Sequence, residues 1–211
     1  MAEFKLYCFG ESGNAFKAAF MLSACGCTWE PIPVDFFNGE TRGAPYRETV
    51  NEMGEVPVLL HGNRKIAQSG AILTFLAQLT GKFGGNDEVE QTQALSWILF
   101  DNHKFTGYLA TLRFLVAIAA SGETAVTQFL RQRLLSAAGI IEKHLASRQF
   151  MVGDSPTIAD ISLCGYLFHP ESYGIDWAQY PAIGAWLNRL AGLPGWKPPY
   201  EMIEKAPPKR A

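Results

Sequence analysis

The chain has 211 residues, 48% hydrophobic and 18% charged, with a formal net charge of −2. That is enough apolar material for a sizeable core in one or two domains, and it argues against disorder. The near-neutral charge carries no basic block before the last few residues, which excludes an electrostatically driven nucleic-acid partner.

The longest apolar runs, such as residues 114–120, are too short to cross a bilayer, so no membrane partner is expected. The first residues lead straight into a strand pattern, and no signal peptide is evident. Cys8, Cys25, Cys27 and Cys164 form no C-x-x-C pair, and His61, His103, His144 and His169 are scattered. A metal site is therefore not expected, and the cysteine usage suits a reducing compartment, the cytoplasm.

Residues 1–80 alternate strand and helix. Glu3 to Cys8 reads as a strand, and Asn14 to Cys25 as a helix that Gly26 ends, with Phe16, Ala19, Phe20 and Ser23 on one face. Thr28 to Val34 is a second strand, which Pro31 and Pro33 push to a sheet edge. Residues 36–50 suit a long loop with a weak helix. Val56 to Leu60 and Arg64 to Ala67 are short strands joined by the turn signal His61-Gly62-Asn63. Ser69 caps a third helix with Ile72, Phe75, Leu76 and Leu79 at helical spacing. The order β-α-β-α-β-β-α predicts a mixed sheet with one crossover.

Residues 81–87, G-K-F-G-G-N-D, form the expected linker. Strand signals vanish after it, and residues 88–211 read as an all-helical domain. Asp87 to Ala120 is one long helical pattern with a bend expected near Gly107. Glu123 to Ser147, Pro156 to Phe168 and Pro181 to Leu190 follow as helices. The proline-rich tail from Leu193 is expected to drape over the surface or to be disordered near its end.

Several short stretches carry two readings each. Ser12 and Asn14 stand where the first helix begins, and either caps it. Free N–H groups and partial positive charge at such a start also stabilise an anion, and a thiol held there would ionise more easily. Pro57, within Glu55-Val56-Pro57, is a trans proline opening a strand or a cis one that leaves the Val56 backbone for a ligand. Gln68-Ser69 opens the third helix as a plain cap or as a carboxylate-binding start. Thr157 to Asp160 fits a structural capping box. Asp101 to Lys104 is a polar turn in the long helix, either a solvated face or the wall of a pocket.

Taken together, these stretches resemble the cytosolic glutathione S-transferase family over about residues 4–197. The motifs are L-Y-C-F-G-E-S-G-N-A-F-K, N-E-M-G-E-V-P-V-L, Q-S-G-A-I-L-T-F-L, V-G-D-S-P-T-I-A-D-I-S and Y-P-A-I-G-A-W-L-N-R-L, in the family's order. The resemblance implies an α/β thioredoxin-like first domain, an all-α second domain and a homodimer. It implies glutathione as co-substrate, with the cysteinyl part on the Val56 backbone beside a cis Pro57 and the γ-glutamyl end on Gln68 and Ser69. Ser12 falls at the thiol-activating position of the theta-like branch, Asn14 ranks second and Tyr7 third. Phe9, Phe105, Tyr108 and Tyr166 are the expected contacts of an apolar electrophile. Transfer of the thiolate to such an electrophile is the implied reaction. A glutathione peroxidase or disulfide reductase, a dehalogenase, an isomerase and a non-catalytic binding member are the alternatives. Gln68 departs from the Glu common in the family and implies a lost negative charge near the glutathione amine.

Overall fold

Strand β1, Phe4–Cys8, buries Phe4, Leu6 and Cys8 on one face and leaves Lys5 exposed, the period-two pattern of a half-covered strand. We describe residues 3–210 from a computed structural model. Helix α1, Gly13–Cys25, returns the chain to β2, Trp29–Pro33, which pairs parallel to β1. β2 is an edge, as its two prolines require, and Lys5 meets Glu30 across the pair at 2.7 Å. A short turn at Glu40–Arg42 and helix α2, Ala44–Thr49, lead to the hairpin β3, Val58–His61, and β4, Arg64–Ala67. The sheet order is β2-β1-β3-β4, with β3 antiparallel to both its neighbours. Helix α3, Ser69–Thr80, completes the layer and packs beside α1.

α1 is buried on nearly every side, Lys17 included, rather than along the single face that its spacing predicts. Part of the reason lies in the tail. By packing, the described residues form two units: one holds the chain up to Lys82 and again from Leu193, the other Phe83–Gly192. The sequence reading carries the helical domain to residue 211, whereas the stretch from Leu193 packs on the first unit. A short helix, Pro199–Met202 (α9 in chain order), lies against α1. The irregular stretch after it reaches the β1–α1 turn, where the Gly10 amide donates to the Glu204 carbonyl at 2.7 Å. A Cβ on Gly10 would stand 2.7 Å from the Ile203 carbonyl oxygen, so only glycine admits this approach. Farther on, the Ala206 amide donates to the Glu11 carboxylate at 3.0 Å, and the Arg210 amide to Asn38 at 2.8 Å. The tail is thus draped over the unit that opens the chain.

The helical unit begins with α4, Glu88–Phe100, and α5, Thr106–Arg113. Between them Asp101–Phe105 forms a wide π-helical turn, the kind of irregularity at which long helices bend, just ahead of Gly107. Asp101 is fully buried and accepts hydrogen bonds from Thr106 and Ser162 hydroxyls, both at 2.6 Å. The polar turn is therefore divided: its first residue is buried and anchors the helix, while Asn102 and His103 are exposed. After a second wide turn at Phe114–Ile118 come α6, Ala125–Leu145, α7, Ile158–Cys164, and α8, Pro181–Ala191. The capping box at α7 is present, with the Thr157 amide donating to the Asp160 carboxylate at 2.8 Å. No helix among the described residues is long and apolar enough to cross a membrane.

Candidate active site

The first unit brings two helix starts together. At α1 the N-cap is Ser12, in extended conformation, and its Oγ accepts the Ala15 amide at 3.1 Å. Ser12 is nearly buried, and the turn before it is closed by its own amide donating to the Phe9 carbonyl at 3.1 Å. A hydroxyl that accepts from the helix keeps its proton for donation elsewhere. Asn14, in the first turn, accepts from the Ser69 hydroxyl at 3.3 Å. That bond ties the start of α1 to the start of α3.

α3 opens differently from its sequence reading. Ser69 is the first helical residue, and the cap position belongs to Gln68, at φ 67° and ψ 118° with no side-chain capping bond. β4 ends at Ala67 and the helix starts at Ser69, so Gln68 alone makes the reversal. Positive φ in a side-chain-bearing residue is uncommon and marks sites where function or packing holds it. The Gln68 amide nitrogen donates to a Glu55 carboxylate oxygen at 2.6 Å and lies 3.3 Å from the Met53 sulfur.

Glu55 precedes the Val56–Pro57 bond, which is cis. The β1–β3 ladder begins only at Val58, opposite Tyr7, which leaves Val56 outside it. The Glu55 carbonyl accepts from the Tyr46 hydroxyl at 3.0 Å and from the Asn51 amide at 3.1 Å. Burial pushes the Tyr46 phenol well above its ordinary pKa, so it stays a donor. At Gly54 (φ 69°) an added Cβ would stand 2.7 Å from the Thr41 carbonyl oxygen. The loop from Asn51 to Glu55 is therefore fixed by its own hydrogen bonds. Sequence reasoning passed over Tyr46, Asn51 and Glu55 as site-builders; the one available signal was their place just ahead of Val56-Pro57.

The remaining expected residues are spread over both units. Phe9 is nearly buried and stacks on Phe36 at 4.5 Å. Tyr7 is half-buried, its ring edge-on to Tyr46 at 6.1 Å. In the helical unit Phe105 is fully buried, edge-on to Trp177 at 6.5 Å. Tyr108 is half-buried, with the Arg133 guanidinium 5.7 Å from its ring; a hydrogen bond to Arg133 lowers its phenol pKa. Tyr166 is nearly buried under Arg113 and beside His169.

Burial favours the neutral thiol at three of the four cysteines. Burial pushes Cys8 up to about 12 and raises Cys25 and Cys27 as well. Among the described residues no group of three or more His, Cys, Asp or Glu side chains could hold a metal ion.

The chain matches the model for the glutathione S-transferase N-terminal domain over residues 2–78. It matches that for the C-terminal domain over residues 108–194. A glutathione S-transferase structure from Xanthobacter autotrophicus is 32% identical, with a TM-score of 0.85, covering 94% of this chain and 98% of that one. One from Pseudomonas fluorescens is 30% identical, with a TM-score of 0.87, covering 94% and 99%. A maleylacetoacetate isomerase from Rhizobium meliloti is 27% identical over 98% of this chain and 96% of its own length. With both domains matched in order and a relative above 30% identity over nearly its whole length, the chain belongs to the glutathione S-transferase family.

Proposed function

We propose that the protein is a glutathione transferase in which Ser12 activates the thiol for attack on an apolar electrophile. The observation that carries this reading is the meeting of two helix starts through Ser69 and Asn14, with a proton-bearing hydroxyl at one and no side-chain cap at the other. The α3 start suits the γ-glutamyl carboxylate, bound by the first-turn amides and Ser69. The Val56 backbone, ahead of the ladder, takes the cysteinyl part beside Pro57. The sulfur then lies at the α1 start, where Ser12 donates to it and Asn14 is its neighbour. One pKa unit corresponds to about 1.4 kcal/mol of preference for thiolate. A charge-assisted hydrogen bond of roughly 1.5–3 kcal/mol accounts for one or two units. The thiol proton passes to solvent as the thiolate forms; the thiolate then attacks an electrophilic carbon and the leaving group departs with the bonding pair. Phe9 is the apolar contact proposed within the first unit, whereas Phe105, fully buried against Trp177, is not.

Ser12→Ala is expected to cut conjugation of a model aryl halide by about tenfold or more, the value of one charge-assisted hydrogen bond, while glutathione affinity changes little. Unchanged turnover would remove Ser12 from the mechanism. The raised pKa of Cys8, Cys25 and Cys27 favours this chemistry over disulfide exchange through a protein thiol. A second reading rests on the isomerase relative: the same thiolate adds reversibly to an activated double bond and leaves after rotation. Turnover of a cis-enone without net consumption of glutathione would select it. Val89, Leu95 and Leu99 are large exposed apolar residues on α4, and we assign that surface to a second copy of the chain. Light scattering should read twice the 23.2 kDa chain mass; a monomer at micromolar concentration would refute this. A cytoplasmic location, where glutathione is kept reduced, fits the same reading.

A further inference from the structure

We propose that Glu55 reads the α-ammonium group of the γ-glutamyl end, with Gln68 as the residue that positions it. This rests on the reading above, in which that end docks at the α3 start. An α-amino acid head carries a carboxylate and an ammonium on one carbon, so a site that recognises it needs both signs of charge a few ångströms apart. The α3 start supplies the positive pole. Gln68, common in neither helix capping nor left-handed backbone, caps nothing and turns its amide 2.6 Å onto the Glu55 carboxylate. The negative charge that position 68 lacks is thereby brought to it from position 55.

Three features make the arrangement a built one. The Glu55 carbonyl is fixed by Tyr46 and Asn51, so its side chain leaves from a set backbone. The Gln68 amide is held from a second side by the Met53 sulfur at 3.3 Å. No ion pair among the described residues uses Glu55, so its charge is uncommitted. An ionised carboxylate takes about four donors, and the Gln68 N–H leaves room for an ammonium. A glutamine amide is neutral, so it can steer the carboxylate without cancelling it; a lysine at position 68 would do the reverse.

The test is isothermal titration of the full chain with glutathione and with glutathione acetylated on its γ-glutamyl nitrogen. Wild type, Glu55→Gln and the double variant Glu55→Gln with Gln68→Glu are compared. Glu55→Gln should weaken glutathione about tenfold, the scale of one charge-assisted contact, and leave the acetylated tripeptide unchanged. The double variant, which moves the carboxylate to position 68, should recover most of the loss. Equal weakening of both ligands by Glu55→Gln, or weakening of neither, overturns the proposal while the glutathione reading stands. A wild-type chain that binds neither ligand overturns both.

Discussion

The starts of α7 and α3 solve one physical problem in opposite ways. Each helix leaves its first amides without partners inside the helix. At α7 the chain supplies them itself: the Ile158 amide donates to the Phe83 carbonyl at 2.8 Å and the Ala159 amide to the Thr157 hydroxyl at 3.3 Å, over an anchored cap. Asp160, wholly buried, accepts from the Met151 and Thr157 amides and the Trp186 indole, each at 2.8 Å, and from the Thr157 hydroxyl at 3.1 Å. At α3 the cap residue is exposed, sits at positive φ and sends its side chain away to Glu55. A closed start of this kind holds the fold together. An open one gives up a local cap and leaves its amides for the ligand proposed above, and α1 stands between, its Ser12 hydroxyl capping the helix while keeping a proton to donate.

The sharpest way to break the contrast is Asp160→Ala. It strands four donors in the interior, and each unmet buried donor costs about 1–3 kcal/mol. Burial pushes the Asp160 carboxyl above the ordinary value, and the four donors, which favour the anion, work against that push. We expect a loss of about 3 kcal/mol or more, allowing for relaxation. Urea unfolding of the full chain measures it, with Gln68→Ala as the companion at the open start. Gln68→Ala should change stability by no more than about 0.5 kcal/mol, the range of surface substitutions. Similar losses in the two variants would show that α3 depends on its start as α7 does.

The same contrast explains what the sequence disclosed. Thr157-x-x-Asp160 is a local pattern: both partners lie within one turn, so spacing alone predicts the box. The β-α-β-α-β-β-α order and the edge position of β2 were legible for the same reason, since period and proline placement are local signals. The Gln68–Glu55 bond joins residues separated by the hairpin, and nothing in the spacing announces it. Ser69 looked like a cap because Ser usually is one; the reversal after β4 moved the cap one residue earlier. Asp101 read as part of a solvated face or a pocket wall because its neighbours are polar, yet Ser162, which donates to it, is far along the chain. Pro57 was legible only as a choice between two isomers.

The subtlest test of the open start is Gln68→Gly. A side chain held in a sparsely populated backbone region costs roughly 1–3 kcal/mol. Glycine relieves that cost but loses about 0.5–1 kcal/mol through the freedom it adds to the unfolded chain. The net expectation is a gain of about 1 kcal/mol or slightly less. The variant also deletes the amide that holds Glu55, so glutathione affinity should fall as stability rises. Opposite movements are what a start shaped for a ligand predicts, because the backbone conformation is tolerated for what the side chain does there. A cap that merely served the helix would move both quantities together. Urea unfolding and titration of the same preparation decide between them, and a Gln68→Gly chain that binds glutathione as wild type does would leave the positive φ without a functional reason.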